Sequence, residues 1–282
     1  ATFNFNILVY VVFYAGLNYF IGLKIQDVRF KKALFRTGII INLSQLILLN
    51  YASFAIDPAL SALKLNLSVS KLSEIIVPVG ISYFTLQGIG YLVNVKMGWE
   101  KPEKKFLCFL LYIIFYPKFL SGPIERSNHF LPQLSIERSF SSRQVTEGLR
   151  IVLIGLFKKI VIANQLVAVV NIVYSDVSSF GGYGLWIVFL IQPLCLYFDF
   201  SGYTDIAVGL ARAYGIELLP NFNKPFLSEN VTTFWKSFHM SLSLWFSDYL
   251  FKQLSFKYRR WGKYASVYAV FVTFTLFGIW HG

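Results

Sequence analysis

Charged residues and cysteines are scarce in this sequence. Of its 282 residues, 14% are charged and 56% are hydrophobic, whereas a typical soluble domain is about 25% charged. Apolar runs of bilayer length recur along the chain, and a soluble core cannot absorb several of them. The two cysteines, Cys108 and Cys195, lie far apart inside apolar runs, so we expect core thiols and neither a disulfide framework nor a metal-binding pair. The composition indicates a multi-spanning membrane protein.

Acidic residues are also few, because 14 stand against 26 basic residues and give a net charge of +12. The basic residues gather in short segments between apolar runs, as the positive-inside rule requires of cytoplasmic loops. We therefore predict cytoplasmic loops at 24–36 and 96–105, and a loop on the opposite side at 57–73. Membrane topology explains the positive charge, so nucleic acid is not an expected partner.

The apolar runs divide the chain into helices and intervening polar segments. The long runs are 5–23, 37–56, 75–95, 149–174, 184–214 and 264–280. The run at 106–120 is short for a full span and is followed by Ser121-Gly122-Pro123, a turn that no helix continues through, so we expect a re-entrant or interfacial segment there. We interpret this serine as part of the turn and not as a nucleophile, because serine catalysis needs an adjacent base.

Three further segments do not fit a simple span. Residues 124–147 are polar, with apolar Phe130, Leu131 and Leu134 interspersed, which is typical of a segment at the membrane surface. Residues 215–235 are too polar to span the bilayer, and an aromatic-rich helix is predicted at 239–256.

Four charged residues fall at or near bilayer depth. Lys158 and Lys159 interrupt one long run, and Asp199 and Asp205 interrupt the next. Each charge there costs roughly 2.5 to 3.5 kcal/mol, so we predict that these side chains face the protein interior or a water-filled cavity. A structural role is expected for the two acids, with partners from the polar stretch that follows them. Gly202, between them, is predicted to permit close backbone approach.

Histidine is rare too, and His129, His239 and His281 are its only occurrences. An imidazole can take a proton from a hydroxyl during attack on an acyl carbonyl, whereas a purely structural histidine bonds a neighbouring helix. At i, i+4 spacing, Trp235, His239 and Ser243 are predicted to share one helix face. Such a face is typical of a pocket wall or of an interfacial aromatic belt, and spacing alone leaves both open.

Several motifs follow one another in a specific order. They are Pro78 to Thr85, Ser121 to Ile124, Phe198 to Asp205, Asn221 to Phe226, Phe234 to Ser243, Trp245, Asp248-Tyr249 and Gly278 to Gly282. This series resembles the membrane-bound O-acyltransferase family over roughly residues 75–282, and is most similar to the branch that acetylates alginate and other exported polysaccharides. Proteins of teichoic-acid D-alanylation are near relatives. The sequence departs from the usual Trp-Arg-Arg-Trp-His pattern, since it has Trp235-Lys236-Ser237-Phe238-His239.

The resemblance implies an all-α, polytopic helical bundle with a tunnel through the bacterial cytoplasmic membrane, formed by a single membrane domain over 1–282. An acyl thioester such as acetyl-CoA or an acyl carrier protein would meet the hydroxyl of a polysaccharide or envelope glycan there, with no metal and no bound cofactor. His281 matches the catalytic histidine and His239 the second one. A separate extracytoplasmic acetyltransferase is an implied partner. Candidate tunnel-lining residues are Trp235, Ser241, Ser243, Asp248, Asp199, Ser201, Tyr203, Asn223 and Trp280.

Two alternatives stay open at this point. A transporter or flippase would use the intramembrane charges and histidines along a permeation path, and an acyl-relay scaffold would leave the final transfer to another enzyme. We also expect a fragment, because no signal peptide is visible and Gly282 directly follows an apolar run. A chain ending there is expected to be inactive, since nothing beyond His281 would hold it still.

Overall fold

The computed structural model describes residues 5–26, 29–62 and 80–281, and over 49–62 it describes the backbone alone. Within these ranges the protein is helical, and its one β-type pairing is an isolated antiparallel bridge between Phe222 and Phe238. The predicted all-α fold class is confirmed. Two compact units are present: unit 1 comprises Ala1–Leu120, Ile124–Ile136 and Leu244–Gly282, and unit 2 comprises Ser121–Pro123 and Glu137–Ser243. The single-domain assignment stays a prediction.

The helices follow one another in a simple order. They are α1 (Phe5–Lys24), α2 (Lys31–Ala62), α3 (Ile81–Met97), α4 (Phe106–Ile114), α5 (Tyr116–Phe119), α6 (Ser127–Leu134), α7 (Ser142–Ser175), α8 (Gly182–Ala213), α9 (Val231–Ser237), α10 (Met240–Phe246), α11 (Lys252–Lys257) and α12 (Lys263–His281). Helix α7 contains a π-helical segment at Phe157–Ala163, and another, Ser247–Phe251, joins α10 to α11.

Four of the described helices are long and apolar enough to cross a membrane, namely α1, α7, α8 and α12. They coincide with the predicted runs at 5–23, 149–174, 184–214 and 264–280, although α7 begins earlier, at Ser142. The prediction of a multi-pass membrane protein is therefore confirmed.

Helix α2 corrects two predicted loops. It begins at Lys31, inside the predicted loop at 24–36, and continues to Ala62, inside the predicted loop at 57–73. Lysine, arginine, leucine and alanine are strong helix formers, so the helix begins before the apolar run; helix propensity does not explain its continuation through Asp57 and Pro58. The remainder of the second loop, and residues 75–79 of the next predicted span, lie outside the described residues.

The segment at 106–120 is broken, as predicted, and its placement as re-entrant or interfacial stays a prediction. Helix α4 has nine residues, too few to cross a bilayer, and α5 has four. Gly80, which precedes α3, has a φ of 88° and lies against the carbonyl of Phe119, where a Cβ atom would collide. Glycine is therefore needed at this approach.

The surface placement of 124–147 is wrong in two places. Phe130 and Leu131 are buried in unit 1, where Phe130 packs against the rings of Tyr112 and Phe115 at 5.7 and 5.2 Å. Both residues lie on the short helix α6, and burial of their apolar surface outweighs the polar character of the flanking sequence. Residues 142–147 form the start of α7.

The interior of unit 1 combines aromatic packing with buried amides. Tyr14 donates a hydrogen bond of 2.6 Å to Asn42 Oδ1, and Asn42 Nδ2 donates one of 2.8 Å to Asn18 Oδ1. Lys118 is fully buried, and its ammonium donates to Gln87 Oε1 at 2.6 Å and to the Tyr112 carbonyl at 2.5 Å. These bonds satisfy polar groups that would otherwise be costly to bury.

Unit 2 is built on the antiparallel pair α7 and α8. A Cβ atom on Gly155 would come within 2.5 Å of the Gly202 carbonyl, and one on Gly148 within 2.5 Å of the Gly209 carbonyl. The predicted close approach at Gly202 is confirmed. The other three glycines were missed, although the seven-residue spacing within each helix is the signal that places both contacts on one face. Cys195 is buried and Cys108 partly buried, and both are free thiols, as expected.

Candidate active site

His281 is the last described residue of α12 in unit 1. Its Nδ1 lies 2.9 Å from the carbonyl oxygen of Phe277, one turn earlier, and its ring packs on the Phe277 ring at 4.7 Å. Because a carbonyl oxygen only accepts, Nδ1 carries the proton in this bond, and a neutral ring then has its lone pair on Nε2. The side chain is exposed. This is the arrangement that a general base requires.

Trp280 connects His281 to the rest of unit 1. Its ring meets the His281 ring edge-on at 4.8 Å and the Tyr83 ring of α3 at 5.8 Å. Trp280 also lines a cavity of about 480 Å³, which we call the apolar groove. Representative lining residues are Phe35, Ile39, Leu46, Ile89, Trp245 and Trp280. Trp280, a predicted lining residue, therefore lies in the wall of a cavity, and its contact with a substrate stays a prediction.

Asp248 lies in a second, polar cavity of about 350 Å³ in unit 1. Its carboxylate accepts from Lys252 Nζ at 2.7 Å and from Arg126 Nη2 at 3.2 Å. Tyr249, in the walls of both cavities, donates to Asn94 Oδ1 at 2.8 Å. A carboxylate bound by two cations is held in place, and the net charge of the three groups is positive.

Glu100 lies next to this polar cavity and was not singled out in the sequence. Ser127 donates to its Oε1 at 2.7 Å and Asn94 to its Oε2 at 3.4 Å. Burial raises the pKa of the Glu100 carboxyl to about 7, although these hydrogen bonds lower it in part. No local pattern marks this glutamate, because its partner Ser127 lies on α6, 27 residues later in the chain.

His239 in unit 2 corrects the predicted helix face. Helix α9 ends at Ser237, His239 has a φ of 45°, and α10 begins at Met240. Trp235 and His239 therefore do not lie on one continuous helix. The break arises because Ser237 and Met240 bond to the backbone of the loop at 221–223, by Asn223 N to Ser237 O at 2.9 Å and Met240 N to Asn221 O at 2.8 Å.

The imidazole of His239 is buried, with 3% of the residue exposed, and meets the ring of Phe200 edge-on at 4.6 Å. Asn221 organises the same turn, since its Oδ1 accepts from both the backbone and the hydroxyl of Ser241. Its Nδ2 lies 3.4 Å from Thr204 Oγ1 on α8. Ser241 and His239 therefore belong to one ordered turn, which the sequence placed inside a helix.

The remaining predicted lining residues of unit 2 have mixed environments. The Ser243 hydroxyl donates to the Phe238 carbonyl at 3.3 Å, and Trp235 packs edge-on against Phe234 at 5.5 Å. On α8, Ser201 is buried and Tyr203 half-buried, whereas Asn223 is exposed. These residues do not define one described cavity within unit 2.

The intramembrane charges pair with each other. Lys158 Nζ lies 2.6 Å from Asp205 Oδ2, and Lys159 Nζ lies 2.6 Å from Asp199 Oδ1. The expected partners in the polar stretch after α8 are therefore wrong. Both lysines belong to the π-helical segment of α7, whose wider turn presents two consecutive side chains to the same neighbouring helix.

His129, the third histidine, has an acidic partner. His129 Nδ1 lies 2.9 Å from Glu125 Oε2, one turn away on the buried side. Among the residues that the structure describes, no group of three or more His, Cys, Asp or Glu side chains is arranged to hold a metal ion. Unit 1 thus holds Asp248, Trp280 and His281, and unit 2 holds the other predicted site residues.

Comparison with known proteins places this geometry in a family. The model of the membrane-bound O-acyltransferase family matches residues 103–282. A probable alginate O-acetylase AlgI of Pseudomonas syringae pv. tomato is 33% identical over 94% of this chain and 51% of its own length. The peptidoglycan O-acetyltransferase of Helicobacter pylori is 30% identical over 94% of this chain and 55% of its own length.

A teichoic acid D-alanyltransferase of Bacillus subtilis is 32% identical over 72% of this chain and 53% of its own length. The chain spans about half the length of the curated relatives it matches. The matched region contains His239, Asp248 and His281, and extends from just before α4 into the end of α12. The chain belongs to the membrane-bound O-acyltransferase family.

Proposed function

We propose that this protein is an O-acyltransferase of the bacterial cytoplasmic membrane. It transfers an acyl group, acetyl in our proposal, from a thioester on the cytoplasmic side to a hydroxyl of an exported polysaccharide or envelope glycan. One observation carries this proposal: the three relatives described above are named as an alginate O-acetylase, a peptidoglycan O-acetyltransferase and a teichoic acid D-alanyltransferase.

In the proposed reaction, His281 is the general base. Its Nε2 takes the proton of the acceptor hydroxyl while that oxygen attacks the thioester carbonyl. The new C–O ester bond forms, the C–S bond breaks, and the departing thiolate receives the proton. The bond between Nδ1 and the Phe277 carbonyl supports this role, because it fixes the tautomer and orients the ring.

His239 has a different proposed role. Its buried position and its place in the Asn221 turn favour positioning of a substrate group over proton transfer with solvent. Trp235, Ser241 and Ser243 remain proposed lining residues around it, and Asp248 and Trp280 are those of unit 1.

Acetyl-CoA and an acyl carrier protein are the two donors proposed, and the reaction needs no metal or bound cofactor. A separate extracytoplasmic acetyltransferase is a proposed partner that would complete the transfer in a relay. The transporter alternative rests on the intramembrane charges, and the pairs Lys158–Asp205 and Lys159–Asp199 account for these as links between α7 and α8.

The test uses the protein at the full length of its relatives, purified and reconstituted in vesicles, with acetyl-labelled thioester and a de-O-acetylated envelope glycan. We expect alkali-labile label in the glycan, as an ester linkage requires. Supplying the donor first as acetyl-CoA and then as an acyl carrier protein identifies the thioester used. Uptake of the donor into the vesicles, with no label in the glycan, would overturn the proposal in favour of a transporter.

A further inference from the structure

The apolar groove of unit 1 has the length of one bilayer leaflet. Its wall on α2 extends from Phe35 to Ile47, twelve residue-to-residue steps and therefore roughly 18 Å at the rise of an α-helix. One leaflet contributes about 15 Å to the hydrocarbon core. Large parts of Leu43 and Ile47 are exposed along this wall, so the groove is accessible from the hydrocarbon.

The two ends of the groove can be told apart by its contacts. At one end, Phe35 lies under the ammonium of Lys96, which is 3.9 Å from the ring centroid. At the other end, Leu86 accepts a hydrogen bond of 2.9 Å from Trp245 Nε1, and Trp280 reaches Tyr83. The groove therefore extends from the basic end of α3 to the residue that precedes His281.

Four cations gather at the Phe35 end. Lys31, Lys32 and Arg36 lie in the first turns of α2, and their positive charges repel the ammonium of Lys96 at the end of α3. Within the described part of the chain, none of the four forms a salt bridge with a carboxylate. A group of like charges next to a membrane is stabilised by an anion, and each lysine or arginine near the surface contributes about 1 kcal/mol of attraction to anionic lipid.

We propose that the apolar groove binds one acyl chain of an anionic phospholipid, whose phosphate headgroup lies against Lys31, Lys32, Arg36 and Lys96. The lining is built of aliphatic and aromatic side chains, which suit a hydrocarbon chain. The polar arm of a thioester carrier fits poorly, because its amides would be buried there without hydrogen-bond partners. This site shares Trp280 with the proposed active site, but lipid binding does not depend on acyl transfer.

A lipid in this site has a direct consequence for unit 1. Its chain end would contact Trp280, whose ring packs against both Tyr83 and His281. Lipid occupancy would then hold the end of α12, which has no other described cavity beside it. The bound lipid is a structural ligand of the histidine-bearing helix.

The test measures lipid retention by native mass spectrometry of the full chain in detergent, with dioleoylphosphatidylglycerol and dioleoylphosphatidylcholine as probes. We expect about one tightly held phosphatidylglycerol per chain and at least tenfold weaker retention of phosphatidylcholine. The double variant Arg36→Gln, Lys96→Gln should lose about thirtyfold in phosphatidylglycerol binding. The matched control Lys101→Gln, Lys104→Gln removes two charges from the neighbouring loop and should leave binding unchanged.

A second pair of variants tests the chain site. Ile39→Trp fills the groove from α2, and Leu276→Trp fills it from α12. Each variant should abolish retention of the lipid. If one variant fails to fold, the other still tests the site. Displacement of the lipid by glycerol 3-phosphate, with both tryptophan variants binding normally, would show a soluble phosphate ligand and overturn the proposal. Equal retention of the two lipids would also overturn it. So would an equal loss of phosphatidylglycerol binding in the Lys101→Gln, Lys104→Gln control, or a dimer without lipid whose interface covers the groove.

Discussion

The interactions inside unit 1 differ from those inside unit 2. In unit 1, α1 buries 39% of its membrane-length window, and amide groups such as Asn18 and Asn42 bond to each other inside the unit. In unit 2, α7 and α8 bury 11% and 17% of theirs and meet through glycines and ion pairs. Around α1, unit 1 therefore has an interior with bonded polar groups, although α12 of the same unit buries only 11% of its window. Unit 2 depends on close backbone approach between two helices whose surfaces are largely exposed.

The two histidines follow the same division. His281 lies exposed at the end of a helix, with its tautomer set by a carbonyl one turn earlier. His239 lies buried in a turn with positive φ, fixed by the bonds around Asn221. The proposed function assigns proton exchange to the exposed histidine and positioning of a substrate to the buried one.

The glycine contacts give the largest expected effect. Gly155→Leu would force a side chain into the backbone of α8 at Gly202, and we expect a loss of more than about 3 kcal/mol in stability, or no folded protein. Thermal unfolding in detergent measures the effect. Gly278→Ala on α12, where no atom lies within 4 Å of the new Cβ, is the matched control and should be neutral. Normal stability of the Gly155 variant would break the comparison.

The ion pairs between α7 and α8 come next. Lys158→Ala leaves Asp205 without the partner at 2.6 Å, and we expect a loss of about 2 to 3 kcal/mol, the cost of an unpaired charge at bilayer depth. The exchange Lys158→Asp with Asp205→Lys should restore most of it. Unfolding of the single and exchanged variants in one denaturant distinguishes an ion pair from two independent charges. An exchanged variant no more stable than the single variant would contradict the pairing.

Unit 1 offers a pH-dependent test. Burial raises the pKa of Glu100 to about 7 in the folded protein, so the folded state binds more protons than the unfolded state between about pH 4.5 and 7. Stability contributed by the protonated group is lost as the pH rises through this window, on the order of 3 kcal/mol. Glu100→Gln should flatten the profile of melting temperature against pH. An unchanged slope would show that another group titrates.

The backbone at His239 gives the smallest effect. Its φ of 45° favours glycine over residues with a Cβ atom, so His239→Gly should be more stable than His239→Ala by about 1 kcal/mol. Both variants lack the imidazole and should have equal activity. If the two variants are folded to the same extent but differ in acyl transfer, the conformation of the turn, and not the imidazole ring, determines activity at this position.

Much of the fold could be predicted from hydropathy, because bilayer length and the cost of charge in hydrocarbon act on short stretches of sequence. The runs that became α1, α7, α8 and α12 were identified within a few residues at most ends. The burial of Phe130 was missed, since it depends on Tyr112 and Phe115 from another helix. The start of helix α2 was predicted too late, because Lys31, Lys32 and Arg36 are strong helix formers that lower the hydropathy.

The candidate site was predictable to a lesser extent. The histidines were found because the residue is rare and the motifs are ordered, whereas the break before α10 was missed. The i, i+4 spacing of Trp235, His239 and Ser243 indicates a helix, but backbone bonds from Asn221 and Asn223 override it. Such long-range bonds leave no periodic signal. The same reason hides the partners of Asp199 and Asp205, which lie about 40 residues earlier in the chain.

The most direct measurement compares the three histidines in one acyl-transfer assay, with expression and membrane insertion matched. We predict that His281→Ala lowers the rate by about 10² to 10⁴, as loss of a general base does, that His239→Ala lowers it by about tenfold through lost positioning, and that His129→Gln retains it. Undiminished transfer by the His281 variant would contradict the account.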